Sequence, residues 1–406
     1  MKSKLNTLTS LRFFAATMIV VHHSKGVLWV SKDFFPHLLL NQGVSFFFVL
    51  SGFILTYKYP SFSNIKSILH FWGSRIARIW PAHAVAFLLW FMVFFPWSFQ
   101  LIKQDANSWV AVANLLMVHA WIPVKEVFFS FNEVSWSIST EFGFYLLFPF
   151  LIADFEHTWK WKLVVSALIV IALIIVSNIL KIPSDREADN AISYPGLLYV
   201  NPLGRLFEFV LGMIACRVWT KSMQCWPSHF VLASIIEIMA TIILIGSFMW
   251  TSCFDMLAFW VAKQDWVFTY SCIERLNGWI GIAGWSYLME SGSCISFAAF
   301  IVIMAGQKGI LSRILSYKIL VFLGEISYSV YLFHQIILRY YLVYLYQGYS
   351  MYLESFRYMF FWIVLLTIST LVWRFVEKPA RHSIRLALFR VIDGIDHVLY
   401  RSGSVV

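Results

Sequence analysis

The stretch W-K-L-V-V-S-A-L-I-V-I-A-L-I-I-V-S-N-I-L, residues 161–180, decides the class of fold. Nothing in it is charged after Lys162, and about 20 apolar residues of helix are what crosses about 30 Å of hydrocarbon. Runs of this kind recur at 8–30, 40–58, 76–97, 134–153, 199–219, 229–250, 284–305, 318–345 and 356–376. The whole chain shares the character. Of its 406 residues 60% are hydrophobic and 13% charged, and its mean hydropathy is +0.73. Soluble domains run at about 45–50% apolar and about 25% charged. The expected fold is therefore all-α: a polytopic transmembrane helix bundle of about ten spans, forming one transmembrane domain over 1–380 with a short basic cytoplasmic tail at 381–406.

Loop charge sets the orientation, because short cytoplasmic loops carry the excess of Lys and Arg. An eleventh run, 107–122, is shorter and holds Asn114 and His119. Suppose that it does not cross and that the N-terminus, with Lys2, Lys4 and Arg12, faces the cytoplasm. The inward loops then carry Lys58, Lys66, Arg75 and Arg78, then Lys160 and Lys162, Arg217 and Lys221, and Lys308, Arg313 and Lys318. The C-terminal tail, with Arg374, Lys378, Arg381, Arg385 and Arg390, also lands inside. The outward loop 181–198 is net acidic through Asp185, Glu187 and Asp189. If 107–122 crossed, every later loop would invert. Both termini are therefore expected in the cytoplasm, with 107–122 re-entrant or at the outer surface and 251–283 an outward segment of mixed character.

The net charge of +10 and pI near 9.3 are spread over those short loops. That distribution argues against a nucleic-acid partner and leaves membrane lipids as the surroundings. The first apolar run lacks an A-x-A-like site and reads as a signal anchor. The five cysteines, Cys216, Cys225, Cys253, Cys272 and Cys294, show no C-x-x-C spacing, so no metal site is expected. A Cys253–Cys272 bridge would require their loop to be extracytoplasmic. Internal repeats, a Walker loop, G-x-S-x-G and H-E-x-x-H are all absent from the sequence.

Ionisable groups inside a span each cost at least about 2.5–3.5 kcal/mol on insertion scales, so they mark function or specific pairing. The first span, L-R-F-F-A-A-T-M-I-V-V-H-H, carries Arg12, His22 and His23. Eleven residues of helix separate Arg12 from His23, about three full turns and about 16 Å. His23 thus shares the Arg12 face near the midplane, and His22 points about 80° away. An imidazole suits a general base that removes a hydroxyl proton, although a core histidine bonded to a neighbouring helix has the same sequence. Arg75 and Arg78 in S-R-I-A-R-I-W-P share a face at the cytoplasmic boundary. Their two planar forks fit a diphosphate, and equally an inside-positive anchor.

W-S-I-S-T-E-F-G-F-Y at 136–145 places Ser137, Glu141 and Tyr145 at i, i+4 and i+8, one polar stripe on an apolar helix. Glu141 there could orient His23, hold acceptor hydroxyls, or pair with an arginine. In G-V-S-F-F-F-V-L-S-G-F-I-L, Ser51 and Gly52 read as a close helix approach. L-G-E-I-S-Y-S-V-Y-L-F-H at 323–334 puts Glu325, Ser327, Tyr328, Tyr331 and His334 into one span, with Tyr331 and His334 on one face.

These segments resemble the membrane acyltransferase-3 family, bacterial O-acyltransferases of surface glycans. The resemblance covers R-x10-H (Arg12 to His23), F-F-F-V-L-S-G-F at 46–53, R-x-x-R (Arg75, Arg78) and W-S-I-S-T-E at 136–141. It continues through G-R-L-F-E-F-V-L-G-M at 204–213, I-S-Y-S-V-Y-L-F-H at 326–334 and F-V-E-K-P at 375–379. It implies ten spans, an acyl-CoA donor reached from the cytosol, and a histidine essential for transfer. It implies catalytic roles for His23, Glu141 and Arg12 and donor binding by Arg75 and Arg78. The donor implied is acetyl-CoA and the acceptor a polysaccharide or lipid-linked saccharide, at the bacterial cytoplasmic (inner) membrane. Thr140 replaces a more usual aliphatic residue, and His22 doubles the histidine. The chain ends soon after the last span, so no fused hydrolase-like domain is expected and acceptor binding falls to the membrane domain and outer loops.

Two mechanisms stay open on these residues: direct transfer with His23 as base, or a two-step path with an acyl group carried on His23. A multi-pass transporter or flippase of a lipid-linked sugar is the rival from another class, with the same residues as ion or substrate ligands. A non-catalytic scaffold would give the midplane charges no purpose.

Overall fold

The computed structural model describes residues 4–25, 27–28, 39–94, 108–185, 188, 190–222, 229–263, 281–345 and 354–402. Among them there is no strand, and only the isolated bridge Val124–Ile192 departs from helices and loops. The expected all-α architecture is observed, and a helix overlaps each of the ten apolar runs read from the sequence. Seven helices are long and apolar enough to cross a membrane by length and composition. They are Leu40–Lys58, Ile65–Val93, Phe155–Ile179, Phe230–Thr251, Gly281–Ala305, Lys318–Leu345 and Phe356–Asp393.

The principal helices are α1 (Asn6–Ser24), α2 (Gly43–Lys58), α3 (Ile65–Val93), α4 (Ser108–Leu115), α5 (Trp136–Ile152) and α6 (Phe155–Ile179). They continue as α7 (Leu206–Ser222), α8 (Phe230–Lys263), α9 (Cys294–Ala305), α10 (Ile310–Leu315), α11 (Lys318–Tyr340), α12 (Glu354–Val372) and α13 (Lys378–Ser402). The central helices α1, α2, α5, α7 and α11 bury their apolar residues against one another. By contrast, α6 turns Val164, Leu168, Ile171, Ile175 and Ile179 outward, and α8 does the same with Ile235, Ile242, Ile245 and Met249. Such faces need lipid around them.

Two close crossings set the geometry of the core. Gly52 of α2 meets the backbone of α7 at Phe209, and Gly212 of α7 meets the backbone of α2 at Val49. Gly324 of α11 lies as closely on the Thr9 carbonyl of α1. Hydroxyls fasten the same end: Ser10 Oγ donates to the Leu315 carbonyl at 2.5 Å, and Thr7 Oγ1 to that of Ser312 at 3.4 Å. Helix α1 therefore sits clamped between α2 and α11.

The helix α3 begins well before the apolar run at 76–97, because Asn64 and Ser67 form a capping box that starts it at Ile65. Its added turns pack on α13. Lys66 Nζ pairs with Asp393 at 2.9 Å, the His70 ring lies 4.2 Å from that of Phe389, and Leu388 covers Gly73. The boundary expected at 380 thus falls inside α13, and the basic tail is a helix docked on α3 as far as its residues are described.

Within the run 107–122, of which residues 108–122 are described, α4 has eight residues and rises only about 12 Å. Met117 adopts a left-handed φ of 58°, and the chain turns back at His119–Trp121. His83 Nε2 of α3 donates to the Asn114 carbonyl at 2.9 Å, and Ser139 Oγ of α5 to that of Met117 at 2.8 Å. The segment is thus bonded partway along α3, ten residues before its last residue Val93, and to the first turn of α5. Residues 264–280, within the expected outward segment 251–283, lie outside the described residues, as does Cys272.

Candidate functional site

Four of the five residues singled out from the sequence surround one cavity. Arg12 of α1, Ser51 of α2, Arg75 and Arg78 of α3, and Glu141 and Tyr145 of α5 line a cavity of about 60 Å³. Arg75, 5% exposed, is fixed by aromatic faces: its guanidinium carbon lies 5.5 Å from the Tyr59 ring centre and 5.9 Å from those of Phe71 and Tyr145. Its Nη2 donates to the Tyr59 hydroxyl at 3.3 Å. Glu141 accepts from Ser51 Oγ at 3.2 Å and from the Tyr145 hydroxyl at 2.5 Å, so its partners are hydroxyls and not His23. Among the described residues, neither Arg12 nor Arg78 makes a hydrogen bond or ion pair. Three guanidiniums against one carboxylate leave an electropositive pocket with free donor forks.

A second, smaller cavity of about 40 Å³ adjoins the first and shares Arg12, Phe47 and Glu141 with it. Its other walls are Val44, Phe48, Ile138 and Tyr328, with the Ser137 and Tyr331 hydroxyls 2.7 Å apart in its lining. The i, i+4, i+8 stripe on α5 therefore runs through both cavities: Tyr145 in the first, Glu141 in both, Ser137 in the second. The path is charged at one end and narrow, apolar and hydroxyl-tipped at the other.

His23 lines neither cavity. The helix α1 leaves its helical path at Lys25, whose φ and ψ are −56° and 127°, so His23 stands in the last turn and not mid-helix. There its Nδ1 lies 2.8 Å from Nε2 of His334 on α11. The His334 Nδ1–H donates to the Tyr331 carbonyl at 2.5 Å, and Tyr331 is the same residue whose hydroxyl ends the second cavity. His22 packs edge-on to His23, and its buried Nδ1 has no hydrogen-bond partner. Phase alone separated the two histidines in the sequence. The structure adds that only His23 joins a hydrogen-bonded chain. Glu325 is exposed and takes no part.

Three buried charged residues escaped sequence reasoning. Arg205 and Glu208, within G-R-L-F-E-F, have no exposed side-chain surface and lie 3.2 Å apart. Arg205 Nη1 donates to Ser291 Oγ at 2.6 Å, and its guanidinium lies 5.3 Å from the ring centres of Phe48 and Tyr199. Paired charges in a run that otherwise reads as an apolar span were the signal available. Glu377 of F-V-E-K-P, 2% exposed, accepts from Ser329 Oγ at 2.5 Å and faces Arg381 at 3.8 Å. Thr140 spends its hydroxyl on the Val200 carbonyl at 2.6 Å, which ties α5 to the 196–200 turn and explains a polar residue there. Among the described residues no three His, Cys, Asp or Glu side chains converge as metal ligands.

Apolar helices of membrane length around an arginine-lined cavity define a multi-pass membrane protein with an electropositive pocket inside its bundle. The chain belongs to the acyltransferase-3 family, whose acyltransferase domain matches residues 5–375. It is 28% identical over 392 residues to the O-acetyltransferase OatA of Staphylococcus aureus, covering 92% of this chain and 57% of that protein. It is 29% identical over 228 residues to the acyltransferase MdmB of Streptomyces mycarofaciens, covering 53% of this chain and 57% of that one. The putative peptidoglycan O-acetyltransferase YrhL of Bacillus subtilis is 23% identical over 399 residues, 92% of this chain and 54% of that protein. The chain thus spans little more than half the length of the curated relatives it matches. No solved structure matches it.

Proposed function

We propose that this chain is an integral membrane O-acyltransferase, in the simplest case an O-acetyltransferase, of the bacterial cytoplasmic membrane. It moves an acyl group from cytosolic acyl-CoA to a hydroxyl of a cell-surface polysaccharide or lipid-linked glycan. The observation that carries this reading is the pocket of Arg12, Arg75 and Arg78, in which two guanidiniums stand unpaired. CoA presents phosphates to such forks, and its thin pantetheine arm suits the narrower cavity beyond Phe47 and Glu141. The O-acetyltransferase names of two relatives support the acetyl group as cargo.

In this reading the acceptor hydroxyl approaches the thioester from the His23 end. His23 removes the hydroxyl proton as the oxygen attacks the thioester carbonyl carbon. The new C–O bond forms, the C–S bond breaks, and the proton on His23 passes to the departing CoA sulfur. Arg12, held at the junction of the two cavities, faces the negative charge that develops on the carbonyl oxygen.

Ten crossings with both termini in the cytoplasm belong to the same proposal. Neighbouring helices run in the directions this requires: α1 lies parallel to α11, with Thr9 by Gly324 and His23 by His334. The helix α2 likewise lies parallel to α7, with Phe48 by Arg205 and Tyr57 by Trp219.

Purified protein in lipid nanodiscs, given acetyl-CoA labelled in the acetyl group, should release CoA and pass label to an added glycan. Surface glycans of a deletion strain should lose acetyl groups by mass spectrometry. No acetyl turnover, together with movement of a labelled lipid-linked sugar across liposomes, would replace this reading with a transporter.

A further inference from the structure

The two rings of the His23–His334 pair lie within 7° of one plane, their centres 5.1 Å apart and their facing nitrogens 2.8 Å apart. Rings joined edge to edge by a single in-plane N–H···N bond have this separation, and it points the lone pair of one nitrogen at the proton of the other. Which ring donates is settled two atoms away. The Tyr331 carbonyl can only accept, so the His334 Nδ1 beside it must carry a proton. A neutral His334 then has its lone pair on Nε2, and the bond can form only if His23 Nδ1 is the donor. The remaining lone pair of His23 is left on Nε2, turned away from the pair. A doubly protonated His334 would instead place a charge on a ring with no exposed surface and no carboxylate bonded to it.

We infer that His334 is a positioning residue for acyl transfer: it fixes His23 in the Nδ1–H tautomer and keeps Nε2 free to take the acceptor's proton. The inference rests on the reading of His23 as the general base, and it assigns to α11 a role in that site. The relay starts at the Tyr331 backbone, in the helix whose Tyr331 hydroxyl ends the second cavity. The segment that closes the donor path therefore also orients the base. Once His23 holds the acceptor's proton, its Nδ1–H still points at the His334 lone pair, so the positive charge is shared between two rings. His22, the other ring against His23, has no bonded partner on Nδ1 and cannot substitute in this chain.

The test uses the full chain in nanodiscs with 15N-labelled histidine. The free imidazole side chain favours the Nε2–H tautomer, so a protonated Nδ1 and bare Nε2 at His23 form a distinct nitrogen signature, assigned by its loss in His23→Ala. His334→Phe keeps the ring shape without an acceptor. It should abolish that signature and lower kcat about tenfold or more with KM for acetyl-CoA unchanged. His334→Gln sets a carbonyl oxygen near the place of Nε2 and should restore the signature and most of kcat. Wild-type kcat in His334→Phe overturns the inference, as does an Nε2–H tautomer at His23 in the wild type. A glutamine variant as slow as the phenylalanine one at equal donor KM overturns it too. Full activity in His23→Ala would sink the general-base reading instead, and the nitrogen spectrum would still report whether the pair exists.

Discussion

Gly52 and Gly212 interlock at the crossing of α2 and α7. A Cβ added to Gly52 would lie 2.0 Å from the Phe209 carbonyl oxygen, and one added to Gly212 would lie 1.9 Å from that of Val49. Backbone atoms are the obstacle in both cases, so no side-chain rotation relieves the clash. The two helices also carry the site: Ser51 and Phe47 precede Gly52, and the Arg205–Glu208 pair precedes Gly212. Either glycine changed to alanine should force the helices apart at a cost of about 1–3 kcal/mol or more.

That cost should appear as a lower unfolding midpoint in detergent for Gly52→Ala and Gly212→Ala, with acyl transfer lost in step. Gly246 of α8 is the control, since a Cβ there meets nothing within 4 Å. Gly246→Ala should be neutral or stabilising by up to about 1 kcal/mol through helix propensity. Equal midpoints for Gly212→Ala and Gly246→Ala would show that the crossing tolerates separation.

The doubled histidine gives a second contrast. His23→Ala should reduce acyl transfer by about 10²–10⁴-fold, the usual worth of a general base, with the protein still inserted. His22→Ala should keep substantial activity, because its ring nitrogens hold no part of the His334–Tyr331 chain. Initial rates at matched protein levels decide it, and equal losses in both variants would refute the assignment.

Much of this arrangement was legible in the sequence, and the limits were physical. Arg12, Arg75, Arg78 and Glu141 could be picked out because charge inside a span is costly and each sits on a periodic face. Their convergence on one cavity could not be read, since helix phase fixes direction about one axis and says nothing of which neighbour lies there. Glu141 shows the gap: its stripe with Ser137 and Tyr145 was plain, and its bond to Ser51 of another helix was not. Helix ends were also hidden. The apolar run continues past Ser24 to Val30, so His23 read as mid-span, whereas the backbone turns at Lys25. At α3 the reverse happened, because the capping box at Asn64 starts a helix well before the apolar stretch does.

Topology offers a third prediction. Residues 108–122 rise too little to cross and are bonded to the first turn of α5, so with both termini inside the loop that follows them should face outward in the cell. Glu126 is exposed there, whereas Ser130 is half-buried and bonded to Asn114 and Val127. A Glu126→Cys variant on a cysteine-free background should react with a membrane-impermeant maleimide added to intact cells. Labelling only after the membrane is opened would sink the arrangement with both termini inside.

The arginine pocket yields the most specific expectation. Arg75 and Arg78 line one cavity but are held differently, and the difference predicts two phenotypes. Arg78 has no protein partner, so its fork is free for a phosphate, and Arg78→Ala should weaken acetyl-CoA binding without lowering the unfolding midpoint. A charge-assisted hydrogen bond contributes roughly 1.5–3 kcal/mol, so that loss should be about tenfold to a hundredfold. Arg75 also fills the space between Tyr59, Phe71 and Tyr145, so Arg75→Ala should cost stability as well as affinity. Lysine keeps the charge without the planar fork, so Arg78→Lys should recover only part of the binding. Specificity for the nucleotide end is the sharper check. A donor truncated to the acetylated pantetheine arm never reaches Arg75 or Arg78, so it should react about equally poorly with wild type and both variants. Calorimetric titration with acetyl-CoA, beside turnover of the truncated donor, separates the outcomes. Unchanged acetyl-CoA affinity in Arg78→Ala, or the same loss for the truncated donor, would make the pair a topogenic anchor at the membrane edge and not a phosphate site.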